Sequence, residues 1–274
     1  MTHARVIRSG AELRHAFCIP AFGEAPFLEK CIESLLVQTA RTSSILVCTS
    51  TPNERILGAA ARFELEVRTN PDSGGIAPDW NFALTSSNAE LVTIAHQDDL
   101  FAPTYVSRML HAFNSHPDAV IAFSDYQEHD PDGPRGENLN HRVKRMLTHF
   151  AFLGRKAIRS PLDKRRLLCL GNPICCPSVV INRARVPDFR FASHFRTNLD
   201  WDAWLRLADA PGAFVRVPEA LISKGIHQKS ETSVTIADSS REREDRQMLE
   251  RFWPPPLAAL LMKAYRLSYR GNRV

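Results

Sequence analysis

The sequence lacks the motifs that would assign it to several common protein classes. It has no C-x-x-C pair, H-E-x-x-H, EF-hand loop, Walker A segment or G-x-G-x-x-G, so zinc-finger, P-loop and dinucleotide-binding interpretations have no motif. No apolar run reaches the roughly 18 to 20 residues of a membrane span, and the N-terminus has no apolar segment typical of a secretory signal. Together with six cysteines that show no pairing pattern, these absences predict a cytoplasmic protein with reduced cysteines.

The charge of the chain is only weakly biased. The formal net charge is +5 and the pI about 9.0, with 44% hydrophobic and 24% charged residues. This balance is ordinary for a globular protein and allows a sizeable core without disulfides. A basic excess this small fits a phosphate-bearing substrate or an anionic membrane surface equally well, and a solvated surface with slightly more arginine than glutamate is the simpler source of most of it. We therefore expect no nucleic-acid partner.

Short apolar runs alternate with amphipathic segments through the first half of the chain. Strands are expected at 15–20, 43–50, 63–70, 90–99 and 119–130, and helices at 25–39 (with Pro26 in the first turn), 54–63, from about Pro78, and 102–116. Such alternation with short loops predicts βαβ units and a largely parallel, doubly wound sheet. Ligands of these sheets bind outside the carboxyl ends of the strands, so polar residues there are candidates for a site.

The second half is less regular. Residues 130–160 are punctuated by glycine and proline and then become basic, which predicts a loop and a helix inserted between two halves of the fold. Further along, a strand, a helix at 198–210 and strands at 212–227 are expected. The tail from residue 239 is charge-dense, breaks at three prolines and ends in LAALLMKAYRLSYRGNRV. That last helix either packs on the core with a basic edge exposed or lies on an anionic membrane.

The sharpest chemical signal is His96-Gln97-Asp98-Asp99, directly after the apolar run LVTIA. Two adjacent carboxylates after a buried strand repel each other, and a divalent cation would neutralise them. The competing interpretation is that Asp98 or Asp99 caps the helix that follows.

A second acidic segment, NLDWDAWLRLA, places Asp200 and Asp202 at the start of a helix beside two tryptophans. Capping is again the simpler interpretation. A carboxylate that aromatic rings partly desolvate has a raised pKa, however, which suits a general base.

Two further loops carry polar residues that are weak signals alone. GIHQKSETS places His227 and Lys229 among hydroxyls, where imidazole can join a metal site and lysine can hold phosphate. SGGIAPDWNFAL offers a glycine pair that lets the backbone approach a ligand closely. A polar surface loop and an ordinary turn are the simpler interpretations of these two segments.

In this order along the chain, the segments resemble those of family 2 glycosyltransferases, which have the GT-A fold, a Rossmann-like, mostly parallel sheet flanked by helices. FCIPAFGEAPFLEKCIESLLVQT is similar to the family's opening strand, Pro-x-x-Asn/Gly-Glu turn and helix ending in Leu-x-Gln-Thr. The family's segment with the Asp-x-Asp metal motif is similar to VTIAHQDDLFAP. Its Glu-Asp motif, which contains the catalytic base, is similar to NLDWDAWLRLA, and its late His-x-x-Ser segment is similar to GIHQKSETS. The similarity covers roughly residues 15–235.

The chain also departs from the family pattern at several places. Thr49, Ser50 and Thr51 stand where acids are usual, His96 takes the first acidic place of the metal motif, and Leu199 replaces a glutamate. Trp80 occupies the place of an arginine in SGGIAPDWNFAL, whereas the following asparagine is retained. The departure at Thr49, Ser50 and Thr51 falls on the segment that usually contacts the nucleotide base, so this contact is expected to differ from that of the family.

The resemblance implies inverting transfer of a sugar from a nucleotide-diphosphate sugar to a hydroxyl acceptor, a glycan or lipid-linked glycan, in polysaccharide or surface glycan biosynthesis. It implies Mg²⁺ or Mn²⁺ as cofactor and a catalytic domain at 1–238, with a donor half at about 15–130, an acceptor half at about 131–238, and a helical tail at 239–274 that could contact the membrane peripherally. The implied site residues are catalytic Asp200; metal ligands Asp98, Asp99 and His227; and donor contacts Pro20, Ala21, Phe22, Glu24, Thr49, Ser50, Gly74, Gly75, Asp79, Asn81, Gln97, Asp98 and Lys229.

Two other functions compete with this one. A nucleotidyltransferase also uses a parallel sheet with paired acids and Mg²⁺, but it usually has a glycine-rich, basic signature near the first strand, where PAFGEAPFLEK has one glycine and a late lysine. A noncatalytic nucleotide- or sugar-binding relative on the same fold would explain the missing acids.

Overall fold

A computed structural model describes residues 13–72, 74–130, 133–136, 139–226 and 240–269, without the side chains of 264 and 266–269. The strands are β1 His15–Ala21, β2 Ser43–Thr49, β3 Glu66–Thr69, β4 Leu91–Ile94, β5 Leu100–Phe101, β6 Ala119–Asp130, β7 Gly133–Pro134, β8 Ala157–Ile158, β9 Val179–Asn182 and β10 Ala213–Gly225. The helices are α1 Leu28–Leu36, α2 Glu54–Arg62, α3 Ile76–Thr85, α4 Tyr105–Ser115, α5 Leu139–Phe152, α6 Pro161–Leu168, α7 Leu199–Ala208, α8 Ser240–Glu250 and α9 Pro255–Tyr269.

One ten-stranded sheet runs through the protein in the order β3-β2-β1-β4-β9-β6-β10-β5, with β7 and β8 beside this path. β1 pairs in parallel with β2 and β4, and β2 pairs in parallel with β3. The predicted parallel α/β sheet is therefore confirmed in the first half. β9 is antiparallel to both β4 and β6, which keeps β6 and its parallel partner β10 in the same direction as β1.

The strand order brings distant carboxyl ends to one edge of the sheet. β1, β2, β3 and β4 end there, and so do the long strands β6 and β10 of the second half. The sequence predicted this edge for the first four strands. It predicted a strand in the segment that contains β9 but not its antiparallel direction, because a short apolar run such as VVIN carries no information about direction.

The first helix starts later than the sequence suggested. A helix was expected from Ala25 with Pro26 in its first turn, but α1 begins at Leu28. Ala25 has a φ of 41°, a left-handed conformation that interrupts any right-handed helix at this point. The buried face of α1 is the predicted one, with Leu28, Cys31 and Ile32 packed against the sheet.

The described part of the tail belongs to the packed structure. Met248 and Leu249 of α8 and Ala258 and Met262 of α9 are buried in the same core cluster as α7. Trp253, between the two helices, donates its indole N–H to the carbonyl of Cys169 at 2.7 Å. These contacts match the interpretation in which the tail packs on the core. The boundary predicted at residue 238 lies outside the described residues.

The helices of the described residues are all too short or too polar to cross a membrane. The six cysteines are free thiols, as predicted, and all but Cys169 are buried.

Candidate active site

Three loops at the carboxyl edge of the sheet are tied together by side chains. The amide of Gln97 accepts a hydrogen bond from the backbone N–H of Phe22 at 2.9 Å and donates to the carbonyl of Phe22 at 3.2 Å. Gly23 donates to the hydroxyl of Thr51 at 2.9 Å, and Asn53 donates to the carbonyl of Gly23 at 2.8 Å. The loops after β1, β2 and β4 therefore hold one another in place before any ligand arrives.

His96, Asp98 and Asp99 form an acidic cluster at the end of β4. One ligand atom from each of the three lies within 4.8 Å of the others. The ring of His96 stacks on Trp80, with centroids 4.9 Å apart and planes tilted by 30°. The capping interpretation of Asp98 and Asp99 is wrong, because α4 begins only at Tyr105 and Thr104 occupies its capping position.

Burial makes this cluster electrostatically costly. Asp99 is 1% exposed, and burial together with the charge of Asp98 raises its pKa well above the usual range, although an N–H from Gly225 partly offsets this. Burial also lowers the pKa of His96 to about 4, so the imidazole is neutral at neutral pH. Nδ1 of His96 lies 3.7 Å from a carboxylate oxygen of Asp99. A cation at this position would stabilise both carboxylates.

Two polar atoms of the cluster have no hydrogen-bond partner among the described residues. They are Nε2 of His96 and Oδ2 of Asp99, both buried. Buried polar atoms in native proteins are usually satisfied, so unsatisfied ones require an explanation. One imidazole nitrogen and carboxylate oxygens at this spacing fit a divalent cation of the Mg²⁺ or Mn²⁺ type.

The end of β10 completes the wall of the cluster. Gly225 donates its N–H to Oδ1 of Asp99 at 2.9 Å. A side chain at position 225 would collide with the carbonyl oxygen of Asp98, so only glycine fits there. Sequence reasoning included this residue as the first of the GIHQKSETS segment but assigned it no role in the site.

Asp200 lies in the first turn of α7 and is held by two hydrogen bonds. Asn172 donates its side-chain N–H to Oδ2 at 2.8 Å, and the backbone N–H of Trp201 donates to Oδ1 at 2.8 Å. Burial raises the pKa of Asp200, and the positive charges of Arg241 and Lys144 oppose this shift. The carboxylate of Asp200 is therefore oriented by hydrogen bonds, desolvated and under the influence of nearby positive charges.

The charges of both acidic sites act on one buried side chain, the thiol of Cys176. Burial and then the negative charges of Asp200 and Asp99 raise the pKa of the Cys176 thiol. Cys176 begins a short 3₁₀ turn that contacts β4 and β6. The residues around Asp200 that sequence reasoning missed are Asn172, Lys144 and Arg241, which come from three separate segments of the chain.

Asp202, two residues further on, has a different role. It is 1% exposed and accepts hydrogen bonds from Arg206 at 2.8 Å and Arg251 at 2.6 Å. This arrangement ties α7 to the end of α8.

We expect Asp202→Ala to reduce the free energy of unfolding by about 3 kcal/mol, because it leaves partly buried guanidinium groups without their partner. Chemical denaturation measures the loss, with Asp209→Ala, at the exposed end of the same helix, as the control. Equal stability of the two variants would contradict this role for Asp202.

The predicted donor contacts divide into two groups. Asp79 accepts hydrogen bonds from Ser50 at 2.9 Å and from Asn70 at 2.9 Å, which joins the ends of β2, β3 and α3. Thr49 is buried and accepts from the N–H of Thr51. Asn81 exchanges two hydrogen bonds with the backbone of Phe191, at 2.8 and 2.7 Å, so its amide positions that loop.

The other predicted donor contacts lie on the loops at the same edge. Pro20 and Ala21 end β1, and the Phe22 ring is 59% exposed beside them. Glu24 is exposed and lies 4.0 Å from Arg55. Gly74 and Gly75 precede α3, where Gly75 has a φ of 104° that favours glycine. His227 and Lys229 lie outside the described residues.

A family model described as glycosyl transferase family 2 matches residues 16–186. The chain belongs to this family. The match spans β1 to the residues that follow β9, and so includes the acidic cluster but not Asp200. No curated protein matches the chain in sequence.

Solved structures share the fold at low sequence identity. S. aureus TarS 1–349 is 12% identical, with a TM-score of 0.63 over 91% of this chain and 69% of that chain. The mannosyltransferase PcManGT from Pyrobaculum calidifontis, in complex with GDP-Man and Mn²⁺, is 15% identical, with a TM-score of 0.63 over 93% and 70%. Glucosyl-3-phosphoglycerate synthase from Mycobacterium tuberculosis, with Mn²⁺, UDP and phosphoglyceric acid, is 16% identical, with a TM-score of 0.57 over 88% and 78%. The expected GT-A fold is thereby confirmed.

Proposed function

We propose that this family 2 glycosyltransferase moves a sugar from a nucleoside diphosphate sugar to a hydroxyl acceptor, with inversion at the anomeric carbon. The observation that carries the proposal is the pair of acidic sites at one edge of the sheet, a cation-binding cluster at His96, Asp98 and Asp99 and an oriented base at Asp200. A single displacement needs both, one to stabilise the leaving diphosphate and one to deprotonate the acceptor. The similar structures with UDP, GDP-Man and Mn²⁺ support it.

Asp98 and Asp99 would hold the divalent cation, with His96 as a nitrogen ligand. His227 stays a predicted further ligand of the same cation. A bound cation supplies positive charge to the diphosphate as it leaves. The buried, unpartnered Nε2 of His96 and Oδ2 of Asp99 support this assignment. Because imidazole suits Mn²⁺ better than Mg²⁺, we propose Mn²⁺ as the preferred ion.

The donor nucleotide would lie over the ends of β1, β2 and β3. Asp79, held by Ser50 and Asn70, offers a fixed carboxylate there, and the exposed ring of Phe22 offers a surface on which a base can stack. The backbone of Phe22 is held by Gln97, so its position is fixed before binding. Lys229 would contact the diphosphate.

Asp200 would remove the proton from the acceptor hydroxyl. Its two hydrogen bonds, from Asn172 and from the N–H of Trp201, fix the direction of the carboxylate. The acceptor would enter between α7 and α5, whose Lys144 is close enough to lower the pKa of Asp200. We propose a glycan or lipid-linked glycan as the acceptor and polysaccharide or surface glycan assembly as the pathway, on the family resemblance.

Release of a nucleoside diphosphate from a panel of UDP, GDP, dTDP and CDP sugars, with Mn²⁺ and mixed glycan acceptors, tests the proposal. Release from one donor, dependent on acceptor, is the expected result. Release of pyrophosphate would instead show a nucleotidyltransferase, and tight binding without any release would show a noncatalytic relative.

The pH dependence of turnover should report the raised pKa of Asp200. A base acts when deprotonated, so the rate falls as the pH drops through its pKa, and burial places that acidic limb above the ordinary aspartate value of 3.8. Arg241→Gln removes a positive charge that lowers this pKa, so the limb should move to higher pH. The control is Arg246→Gln on the exposed side of the same helix. An unmoved limb, or one moved to lower pH, would contradict the assignment of Asp200.

A further inference from the structure

Helix α5 exposes an apolar stripe on the side that faces away from the core. Its core-facing side is formed by His141, Thr148, Ala151 and Phe152. The stripe follows the opposite side at spacings of three and four residues, the period of one helix face. It consists of Leu139, Val143, Met146, Phe150 and, just beyond the helix, Leu153, which are 73, 40, 50, 59 and 65% exposed. An amphipathic helix normally presents polar residues on its outer side.

A basic flank runs along one edge of this apolar stripe. It is formed by Arg142, Arg145 and His149, and residues 139–152 contain no acidic side chain. A shallow groove of about 470 Å³ lies over this flank, between α5 and Arg216 of β10. Exposed apolar patches of this kind mark contacts with proteins or membranes.

We propose that the apolar stripe and basic flank of α5 dock the protein on an anionic lipid bilayer. Apolar side chains on one line of a helix with arginines beside them are the arrangement that lies in a membrane interface, the apolar residues among acyl chains and the basic ones at headgroups. The helix has 14 residues, too few to span a bilayer. The basic flank favours an anionic partner over a second copy of the chain, which would bring the same positive charge.

The inner side of the same helix reaches the candidate active site. Lys144, on that inner side, is close enough to Asp200 to lower its pKa, and it donates to the hydroxyl of Tyr126 at 3.3 Å. Docking through α5 would therefore bring the side of the site that contains Asp200 close to the bilayer. This docking goes beyond the proposed reaction, and it can be measured without turnover.

Co-sedimentation of the full chain with vesicles of phosphatidylglycerol and phosphatidylcholine, compared with phosphatidylcholine alone, tests the proposal. We expect binding to the anionic vesicles only, weakened by salt. Met146→Asp with Phe150→Asp should abolish it, and Arg142→Gln should weaken it about fivefold, the effect of one basic residue near such a surface. Two matched exposed sites serve as controls, Leu57→Asp on α2 and Leu260→Asp on α9, which are 45 and 60% exposed in the wild type.

The outcomes separate the possible occupants of the stripe. Loss of binding in the double variant, with an unchanged melting temperature and with binding retained in both controls, supports docking through α5. The proposal is overturned if the wild type does not bind, if the double variant binds normally, or if Leu260→Asp alone abolishes binding, which would assign the contact to the tail. A wild-type dimer in sedimentation velocity that the double variant dissociates would assign the stripe to self-association and also overturn it.

Discussion

Asp200→Asn is expected to lower turnover by a factor of about 10² to 10⁴, the usual contribution of a general base. The substitution removes the charge and the proton-accepting capacity but keeps the shape. An asparagine oxygen can still accept the N–H of Trp201, whereas the hydrogen bond from Asn172 is lost, so the melting temperature of the variant is measured beside its turnover. Donor binding should be nearly unchanged, because Asp200 is assigned to the acceptor rather than to the nucleotide. Single-turnover assays and nucleotide titrations measure the two quantities separately.

Asp209→Asn provides the matched control at the other end of α7, where the carboxylate is 61% exposed and pairs with Arg165. Turnover of this control should stay close to that of the wild type, because a surface substitution of this kind usually changes stability by no more than about 0.5 kcal/mol. An Asp200→Asn enzyme with normal turnover would remove Asp200 from the reaction. A loss of donor affinity equal to the loss of turnover would place it in the donor site instead.

Asp98→Asn is expected to remove metal-dependent nucleotide binding and turnover together. The cluster is left with one buried carboxylate and one imidazole, and the cation loses a charged ligand, so we expect affinity for Mn²⁺ to fall at least about 100-fold. The electron paramagnetic resonance signal of free Mn²⁺ during a titration measures this affinity without any turnover. The variant should also melt at a higher temperature than the wild type in the absence of metal, because the charge that raises the pKa of Asp99 is gone.

Glu66→Gln at the start of β3, 58% exposed at its side chain, is the matched control and should bind Mn²⁺ normally. His96→Asp restores an acid where the family has one, and we expect it to shift the preference from Mn²⁺ towards Mg²⁺. If Asp98→Asn keeps normal Mn²⁺ affinity, the cation does not bind at this cluster.

The sequence was sufficient to predict the carboxyl edge of the sheet and the acidic residues that follow β4, because both depend on local sequence patterns. Apolar runs ending in polar residues predicted β1 to β4, and the pair Asp98-Asp99 was visible at the end of the fourth run. The resemblance to a known family then singled out Asp200 as the candidate base. On the sequence alone, Asp98 could either cap a helix or bind a ligand. Because α4 begins only at Tyr105, Asp98 does not cap it.

Residues that come from distant segments could not be predicted in the same way. Asn172 reaches Asp200 from 28 positions away, and Gly225 reaches Asp99 from 126 positions away. Such contacts depend on the order of strands in the sheet, which periodicity does not reveal. The sequence also could not separate Asp202 from its neighbour Asp200. Asp202 accepts a hydrogen bond from Arg251, which lies in the tail, far away along the chain.

The most direct test of the account is calorimetric titration of the chain with UDP, GDP, dTDP and CDP sugars, each in Mn²⁺, Mg²⁺ and EDTA. We predict that one nucleotide binds, that binding requires a divalent cation and is tightest in Mn²⁺, and that Asp98→Asn abolishes it. Binding of no nucleotide under any condition, or equal binding in EDTA, would contradict a cation-assisted donor site at His96, Asp98 and Asp99.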